Sequence, residues 1–203
     1  MTRTGVDEAE AVQLEELVRR SVWLVEVLTA VRESRLPDAM VGAGVLRDLV
    51  WGELHGGFDH GQVKDVDVAY FDPTDLSPKR DQAAEERLRE LLPQIPWEAK
   101  NQAAVHTWYA RRFGGVPYAP VASTCEAIGR WPETATSVGV RLDPDGRLDV
   151  CAPLGLSDLL QGVWRRNPRQ VSVEESIRRL GKHRVAERWP RVRVIPPGGG
   201  ESG

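Results

Sequence analysis

The chain has 203 residues, of which 41% are hydrophobic and seven are tryptophan, enough for one packed domain or a head with a small helical appendage. It contains no stretch of roughly 18 consecutive apolar residues, which excludes an ordinary membrane-spanning helix. The first residues lack an apolar signal segment, so we expect a cytoplasmic protein. The two cysteines, Cys125 and Cys151, have no close partners in the sequence, and we predict free buried thiols rather than a disulfide.

The formal net charge of −3 conceals an uneven distribution of charge along the chain. Between Arg165 and Arg193 there are nine arginines and one lysine but three glutamates, a net charge of +7, so the remainder carries −10. Two interpretations of this basic C-terminal part stay open. In the first, this part binds polyphosphate or nucleic acid. In the second, it is a solvated, arginine-rich face.

The first elements are predicted to be a helix, a strand, a glycine turn and a second helix. Apolar residues at helical spacing predict one amphipathic helix over residues 8–33. Residues 39–42 form a short core strand in this prediction, and residues 45–54 form a helix. The turn between them consists of Gly42, Ala43 and Gly44. Because glycine allows close backbone approach and a helix start offers free N–H groups, this turn is a candidate anion site.

The next predicted strand carries two acidic side chains. After a glycine-containing loop over residues 55–62, Lys64 leads into Asp65-Val66-Asp67 and further apolar residues. Residues two apart in a strand share a face, so Asp65 and Asp67 are expected side by side. Two adjacent carboxylates repel unless a cation lies between them, and Mg²⁺ is often held by carboxylates together with phosphate oxygens. The acid pair and the glycine turn therefore predict phosphate chemistry.

The rest of the chain reads as shorter elements. In order, the predicted elements are a helix over 77–92, a strand over 97–100, a loop over 109–120, a short helix over 125–128, a hairpin over 138–150, a short helix over 156–163 and a helix over 172–188. On the last helix, Arg179 and Lys182 either contact a triphosphate or belong to a salt-bridged surface. The sequence leaves both interpretations open.

The glycine turn and the acid pair, in this order, resemble the head of the polymerase-β-type nucleotidyltransferases. The residues are Gly42-Ala-Gly-Val-Leu-Arg-Asp-Leu-Val-Trp-Gly52 followed by Asp65-Val-Asp-Val68. Within them, Ala43-Gly44-x-x-Arg47-Asp48 is similar to a signature of tRNA nucleotidyltransferases. The resemblance is closer to a bacterial group called nucleotidyltransferase family proteins, through residues 64–72, 96–106, 131–136, 153–159 and 182–190. It covers roughly residues 35 to 195.

This resemblance implies an α/β (α+β) polymerase-β-like head, with a short mixed sheet and flanking helices. It also implies a Mg²⁺-dependent enzyme that moves a nucleoside monophosphate from an NTP to an acceptor hydroxyl. Asp65 and Asp67 would then hold two Mg²⁺ ions. The residues implied to bind the NTP are Gly42, Ala43, Gly44 and, as counter-charges to the phosphates, Arg47 or Lys64. Lys64 is equally readable as the last residue of an exposed loop.

Members of the superfamily often add a third carboxylate from a later strand, which binds metal or acts as general base. Glu98 in the predicted strand over 97–100 is the first candidate for this role. Asp149 in the hairpin is its rival.

The predicted elements and the extent of the resemblance together divide the chain into an N-terminal helix (1–34), a nucleotidyltransferase head (35–153), a C-terminal helical part (154–195) and a disordered tail (196–203). So short a chain has no room for tRNA-binding neck and body domains, which argues against CCA addition. The acceptor stays open between a small molecule, RNA and protein. An alternative function is a non-catalytic nucleotide- or RNA-binding module that uses the basic C-terminal part.

Overall fold

The computed structural model describes residues 6–112 and 117–198, which form a mixed α/β fold around a five-stranded sheet. The strands are β1 (Met40–Gly42), β2 (Val66–Tyr70), β3 (Trp97–Asn101), β4 (Gly139–Leu142), β5 (Leu148–Cys151), β6 (Val163–Trp164) and β7 (Arg193–Val194). The helices are α1 (Glu8–Arg20), α2 (Val22–Ser34), α3 (Gly44–Leu54), α4 (Pro78–Leu91), α5 (Val105–Arg112), α6 (Thr124–Ile128), α7 (Ser157–Leu160), α8 (Val173–His183) and α9 (Val185–Arg188). The predicted head, with a short mixed sheet and flanking helices, is confirmed.

The register of the sheet brings distant parts of the sequence together. The strand order is β3-β2-β1-β4-β5, with β1 antiparallel to both of its neighbours. Strands β2 and β3 are parallel, and helix α4 makes the long connection that a parallel pair needs. Gly42 of β1 lies opposite Asp67 of β2, and Asp67 lies opposite Glu98 of β3. These three residues therefore form one row across three strands, beside the start of α3.

The alternation of side chains along β2 determines which face of this strand is buried in the core. Val66, Val68 and Tyr70 are at most 1% exposed, and residues two apart in a strand share a face. Asp67 lies between them in sequence and therefore points to the opposite face. The core extends into α3, where the fully buried Trp51 donates from Nε1 to the Leu159 carbonyl oxygen at 2.9 Å.

Two predicted helices are interrupted in the structure. The predicted single helix over 8–33 is wrong, because Ser21 adopts an extended conformation (φ −85°, ψ 94°) between α1 and α2. Its hydroxyl accepts a hydrogen bond from the Leu24 N–H, and serine favours such caps over helix interiors. The predicted helix over 172–188 divides at Arg184, whose left-handed conformation (φ 50°) ends α8 before α9 begins.

Smaller elements also differ from the predictions. Residues 109–112 belong to helix α5 rather than to a loop, and the predicted helix over 156–163 is limited to α7. Strands β6 and β7 pair in parallel; each has two residues, too few to show a periodic pattern. Residues 113–116 of the predicted loop and 199–203 of the predicted tail lie outside the described residues. None of the described helices is long and apolar enough to cross a membrane.

The prediction of free thiols is wrong, because Cys125 of α6 and Cys151 of β5 form a disulfide. Their Cα atoms are 5.8 Å apart, a usual separation for disulfide-linked residues. The two cysteines are 26 residues apart in sequence, and it is the β4–β5 hairpin that returns the chain to α6. Spacing alone could not reveal this pairing.

Reduction of this disulfide should lower the melting temperature of the protein by roughly 10 °C. A cross-link closing a loop of this length is worth about 3–4 kcal/mol, and about 1 kcal/mol shifts the melting temperature by roughly 2–4 °C at this size. The measurement is thermal denaturation with and without dithiothreitol. The melting temperature of a Cys125→Ser/Cys151→Ser control should not respond to dithiothreitol. A wild-type protein equally stable in both conditions would contradict the prediction.

Candidate active site

The turn from β1 into α3 is closely packed on one side and open on the other. A Cβ atom at Gly42 would lie 2.5 Å from the Val138 carbonyl oxygen and 2.8 Å from the Trp131 ring, so only glycine fits there. Ala43 has a positive φ of 55°, and its N–H donates to the same Val138 oxygen at 3.3 Å. Helix α3 begins at Gly44 without a side-chain cap, and both Ala43 and Gly44 line a large cavity. Gly42 supports the turn from behind the cavity wall.

The carboxylates of Asp65 and Asp67 converge on the start of α3. A Cβ atom at Gly44 would lie 3.9 Å from Asp65 Oδ1 and 4.0 Å from Asp67 Oδ2. The Gly44 backbone N–H donates a hydrogen bond to the Asp67 carboxylate. Glu98 lies beside Asp67 on the neighbouring parallel strand. The acid pair thus lies on one face of the sheet, as predicted, with a third carboxylate adjacent to it.

Burial and neighbouring negative charge both act on the ionisation of Asp67. Burial, followed by the charges of Asp65 and Glu98, raises the pKa of Asp67 to about 7. The Gly44 N–H and the Arg47 guanidinium act in the opposite direction but are outweighed. A cation bound beside Asp67 would stabilise its ionised form, because a nearby opposite charge favours the ionised carboxylate. The site therefore favours cation binding.

The rival carboxylate, Asp149, lies elsewhere in the sheet. It is on β5, and strands β1 and β4 separate β5 from β2. Its carboxylate is bound by Arg141, with Nη2 at 2.8 Å, and Arg141 also bridges to Asp38 at 2.7 Å. Asp149 is therefore already paired with a cation on a different part of the surface from Asp67.

The two basic residues predicted near the phosphates differ in their surroundings. Arg47 is 4% exposed, donates to Asp48 Oδ1 from Nε at 2.9 Å and from Nη2 at 2.7 Å, and lies 4.8 Å from the Trp189 ring centre. Arg188 binds the other Asp48 oxygen at 3.2 Å and stacks on Trp189 at 4.0 Å. Lys64 is exposed on the cavity wall and makes no ion pair with any described residue. Arg47 is thus held in place, whereas Lys64 is free to meet a ligand.

The cavity in front of the acid cluster has a volume of about 1460 Å³, ample for a nucleotide. Asp65, Asp67 and Glu98 lie on one of its walls. The C-terminal helices α8 and α9 supply another wall, which is mostly basic. Its basic residues are Arg178, Arg179, Lys182, Arg184 and Arg188. The structure therefore brings basic residues of the C-terminal part to the same cavity as the acid cluster.

Sequence reasoning missed several aromatic residues of this cavity. Trp108, Tyr109 and Tyr118 line it, and the rings of the two tyrosines are 4.7 Å apart. Arg130 lies over the Tyr118 ring at 4.9 Å. These residues come from α5 and from the segments around α6, so no regular spacing links them. The role of Trp189 was also missed, although the Arg47-Asp48 motif that it packs against was recognised.

Comparison with known proteins identifies the family. The family model described as nucleotidyltransferase matches residues 29–194 of the chain. The chain belongs to this nucleotidyltransferase family. An NMR structure that reveals a CCA-adding enzyme head domain is 30% identical, with a TM-score of 0.72, over 90% of this chain and 94% of that chain. These matches confirm the resemblance seen in the two motifs. A separate comparison with curated protein sequences found no match.

Two more distant solved structures are complexes of CCA-adding enzyme, one with CTP and one with ATP. Both have a TM-score of 0.51, and they are 16% and 17% identical to this nucleotidyltransferase. They match 91% and 90% of this chain but only 43% and 42% of their own chains. At this identity the similarity shows a shared fold, and the nucleotidyltransferase spans less than half of those enzymes.

The donor set at the acid cluster fits a hard divalent cation. Mg²⁺ prefers oxygen ligands and usually combines one or two carboxylates with phosphate oxygens and waters. Asp65 and Asp67 are such a pair, and the raised pKa of Asp67, caused first by burial and then by the charges of Asp65 and Glu98, means that a bound cation would favour its ionised form. Among the described residues, no three acidic, histidine or cysteine side chains are gathered closely enough to bind a metal by themselves. Two carboxylates completed by substrate oxygens are the arrangement that these residues favour.

Proposed function

We propose that this nucleotidyltransferase moves a nucleoside monophosphate from an NTP to an acceptor hydroxyl and releases pyrophosphate. The observation that carries the proposal is the convergence of Asp65 and Asp67 on the N-terminus of α3 at Gly44. An anion site and a cation site lie side by side there, as a metal-bound triphosphate requires. The complexes of CCA-adding enzyme with CTP and ATP are consistent with NTP as substrate.

Each residue of the cluster has a proposed role. Asp65 and Asp67 would hold Mg²⁺, and two such ions would stabilise negative charge on the attacking and leaving oxygens. The start of α3 would attract the phosphate oxygens through its partial positive charge, because the N–H groups of Ala43 and Gly44 already donate to Val138 and Asp67. Arg47 and the exposed Lys64 would offset the remaining phosphate charge. Glu98 would bind metal or accept the proton of the attacking hydroxyl, since a carboxylate beside Asp67 is close to the reacting atoms.

The test is transfer of label from each NTP, radiolabelled in the α-phosphate, to RNA, to protein or to water. RNA is the first acceptor to try, because a structure described as CCA-adding enzyme complexed with tRNA has the same fold. We expect labelled product with at least one NTP in the presence of Mg²⁺ and none with EDTA. Absence of transfer and of Mg²⁺-dependent NTP binding with all four NTPs would contradict the proposal.

Substitution of Glu98 should distinguish it from Asp149 as the third carboxylate. Glu98→Gln keeps the shape of the side chain but removes its charge and basicity, so we expect transfer to fall by about 10²–10⁴-fold. Asp149→Asn should leave transfer within about threefold, because it breaks only a partly exposed ion pair with Arg141. Initial rates under saturating NTP measure both effects. The opposite ranking would assign the role to Asp149.

A second candidate function is binding of nucleotide or RNA without catalysis. The observation in its favour is the basic wall formed by α8 and α9, which would attract phosphates without any metal. Such a binder should lose affinity steeply as salt increases and should be indifferent to Mg²⁺ and to Asp67→Asn. Titration calorimetry with RNA and with each NTP, at two salt concentrations, separates the two functions.

A further inference from the structure

A buried ion pair joins the head to helix α8. Arg179 donates to Glu133 from Nε at 2.6 Å and from Nη2 at 3.0 Å. The Glu133 side chain is 1% exposed, whereas that of Arg179 is 23% exposed and lines the cavity. The Thr136 hydroxyl donates to the second Glu133 oxygen at 3.2 Å. Glu133 therefore holds the guanidinium from the protein side and leaves its outer edge towards the cavity.

The position of Glu133 is tied to the glycine turn. Glu133 immediately precedes the Thr134–Thr136 turn, and the chain then reaches Val138. The Val138 carbonyl oxygen accepts the Ala43 N–H at 3.3 Å. Glu133 thus lies five residues from the group that fixes the start of α3. This short, hydrogen-bonded segment sets Arg179 at a defined place relative to the turn.

The guanidinium of Arg179 retains hydrogen-bonding capacity. Arginine has five N–H donors, and Glu133 occupies two of them. The other three have no partner among the described residues. Further cations act on His183, which follows Arg179 by one helical turn: burial and the charges of Arg47, Arg179, Lys182 and Arg188 lower the pKa of His183 to about 3. Positive side chains from α3, α8 and α9 therefore meet around His183, and the acidic groups among them are Asp48, Glu133 and Glu175.

We propose that Arg179 binds a phosphate group of the nucleotide and that Glu133 is the positioning residue that orients it. This inference rests on the proposed function, since it extends the site that would hold the NTP. The planar guanidinium of arginine matches the geometry of phosphate oxygens. Because Glu133 already fixes one edge of the Arg179 guanidinium, the N–H groups on the other edge can bind a phosphate without further loss of side-chain freedom. The surrounding cations favour an anion over a neutral base. Lys182, which has no ion pair among the described residues, would add charge beside it.

A purely structural ion pair is the competing explanation, and buried pairs alone are weak evidence for stability. The experiment measures binding of inorganic tripolyphosphate by titration calorimetry without Mg²⁺. Arg179→Gln should weaken binding by about tenfold, the effect of losing one or two charged hydrogen bonds. The matched control is Arg165→Gln, which breaks an arginine–aspartate pair with Asp158 outside the cavity. The control should bind tripolyphosphate as the wild type does.

Glu133→Gln is the most discriminating variant, because a purely electrostatic effect and a positioning role predict opposite changes in the affinity for tripolyphosphate. Removal of a negative charge beside the cavity would strengthen anion binding, whereas release of Arg179 would weaken it. We expect weaker binding, by several-fold. Unchanged or tighter binding would overturn the positioning role.

The double variant Glu133→Gln/Arg179→Gln covers the case in which Glu133→Gln alone does not fold. It contains no unpaired buried charge. If Glu133 acts through Arg179, the double variant should bind tripolyphosphate like Arg179→Gln, with no further loss. A double variant that regains wild-type affinity would show that the pair is structural.

Two further measurements separate this inference from the proposed function. Tripolyphosphate binding should persist in Asp65→Asn, so it can be found even if nucleotidyl transfer is not. Arg179→Gln should also weaken the binding of a non-hydrolysable NTP by a similar factor. A loss of NTP affinity with unchanged tripolyphosphate affinity would overturn the phosphate assignment and indicate recognition of the base.

Discussion

Replacing Asp67 by asparagine should reduce nucleotidyl transfer by roughly 10³-fold or more. The substitution keeps the size and shape of the side chain but removes one of the two charges that would hold Mg²⁺. Metal stabilisation of transition-state charge is worth several kcal/mol, and about 1.4 kcal/mol corresponds to a factor of ten in rate. Initial rates of label transfer, measured over a range of Mg²⁺ concentrations, test the prediction. Asp65→Asn should behave similarly.

The stability of Asp67→Asn provides its control. Because the folded protein raises the pKa of Asp67 from 3.8 to about 7, ionisation of this side chain opposes folding. Between about pH 4 and pH 7 the unfolded chain loses this proton while the folded chain keeps it, so stability decreases as pH rises. In the absence of metal, the variant should therefore melt above the wild type near neutral pH. Lost activity with a lower melting temperature would instead indicate misfolding, and retained activity would refute the metal-binding role.

The geometry of the acid pair could be predicted from sequence because it follows from a local rule. Alternation along one strand places Asp65 and Asp67 on the same face, and no distant residue is needed to establish this. The glycine turn was recognisable for a similar reason. Its interpretation was incomplete, because Gly42 is required by packing against Trp131 and Val138, which arrive from nearly 100 residues further along the chain.

The features that sequence could not reveal depend on contacts between distant segments. The Cys125–Cys151 disulfide, the Glu133–Arg179 pair and the cluster around Trp189 each join elements whose separation carries no periodic signal. The open question about the arginine-rich part was whether it faces solvent or a ligand. Only the folded arrangement shows that part of it lines the same cavity as the acid cluster.

Gly44→Ala should separate the integrity of the fold from the function of the site. Gly44 has no positive φ and is the first residue of α3, so alanine is compatible with its backbone. The nearest neighbours of the added Cβ atom would be Arg47 Nη2 at 3.6 Å and the Asp65 and Asp67 oxygens at 3.9 and 4.0 Å, which are ordinary contact distances. The substitution should therefore leave stability unchanged or raise it by about 0.4–1 kcal/mol. Gly42→Ala, by contrast, should prevent correct folding.

The added methyl group of Gly44→Ala would occupy the space on which both carboxylates converge. A phosphate or a cation bound there would be displaced by about 1 Å or more, and misplacement of this size costs about 10²-fold in rate. Gly181→Ala in α8 is the matched control, because a Cβ atom there would meet nothing within 4 Å. Thermal denaturation and label transfer, measured on both variants, decide the matter. If Gly44→Ala were as active as Gly181→Ala, the substrate would not bind between the two aspartates and the start of α3. The active site would then lie elsewhere.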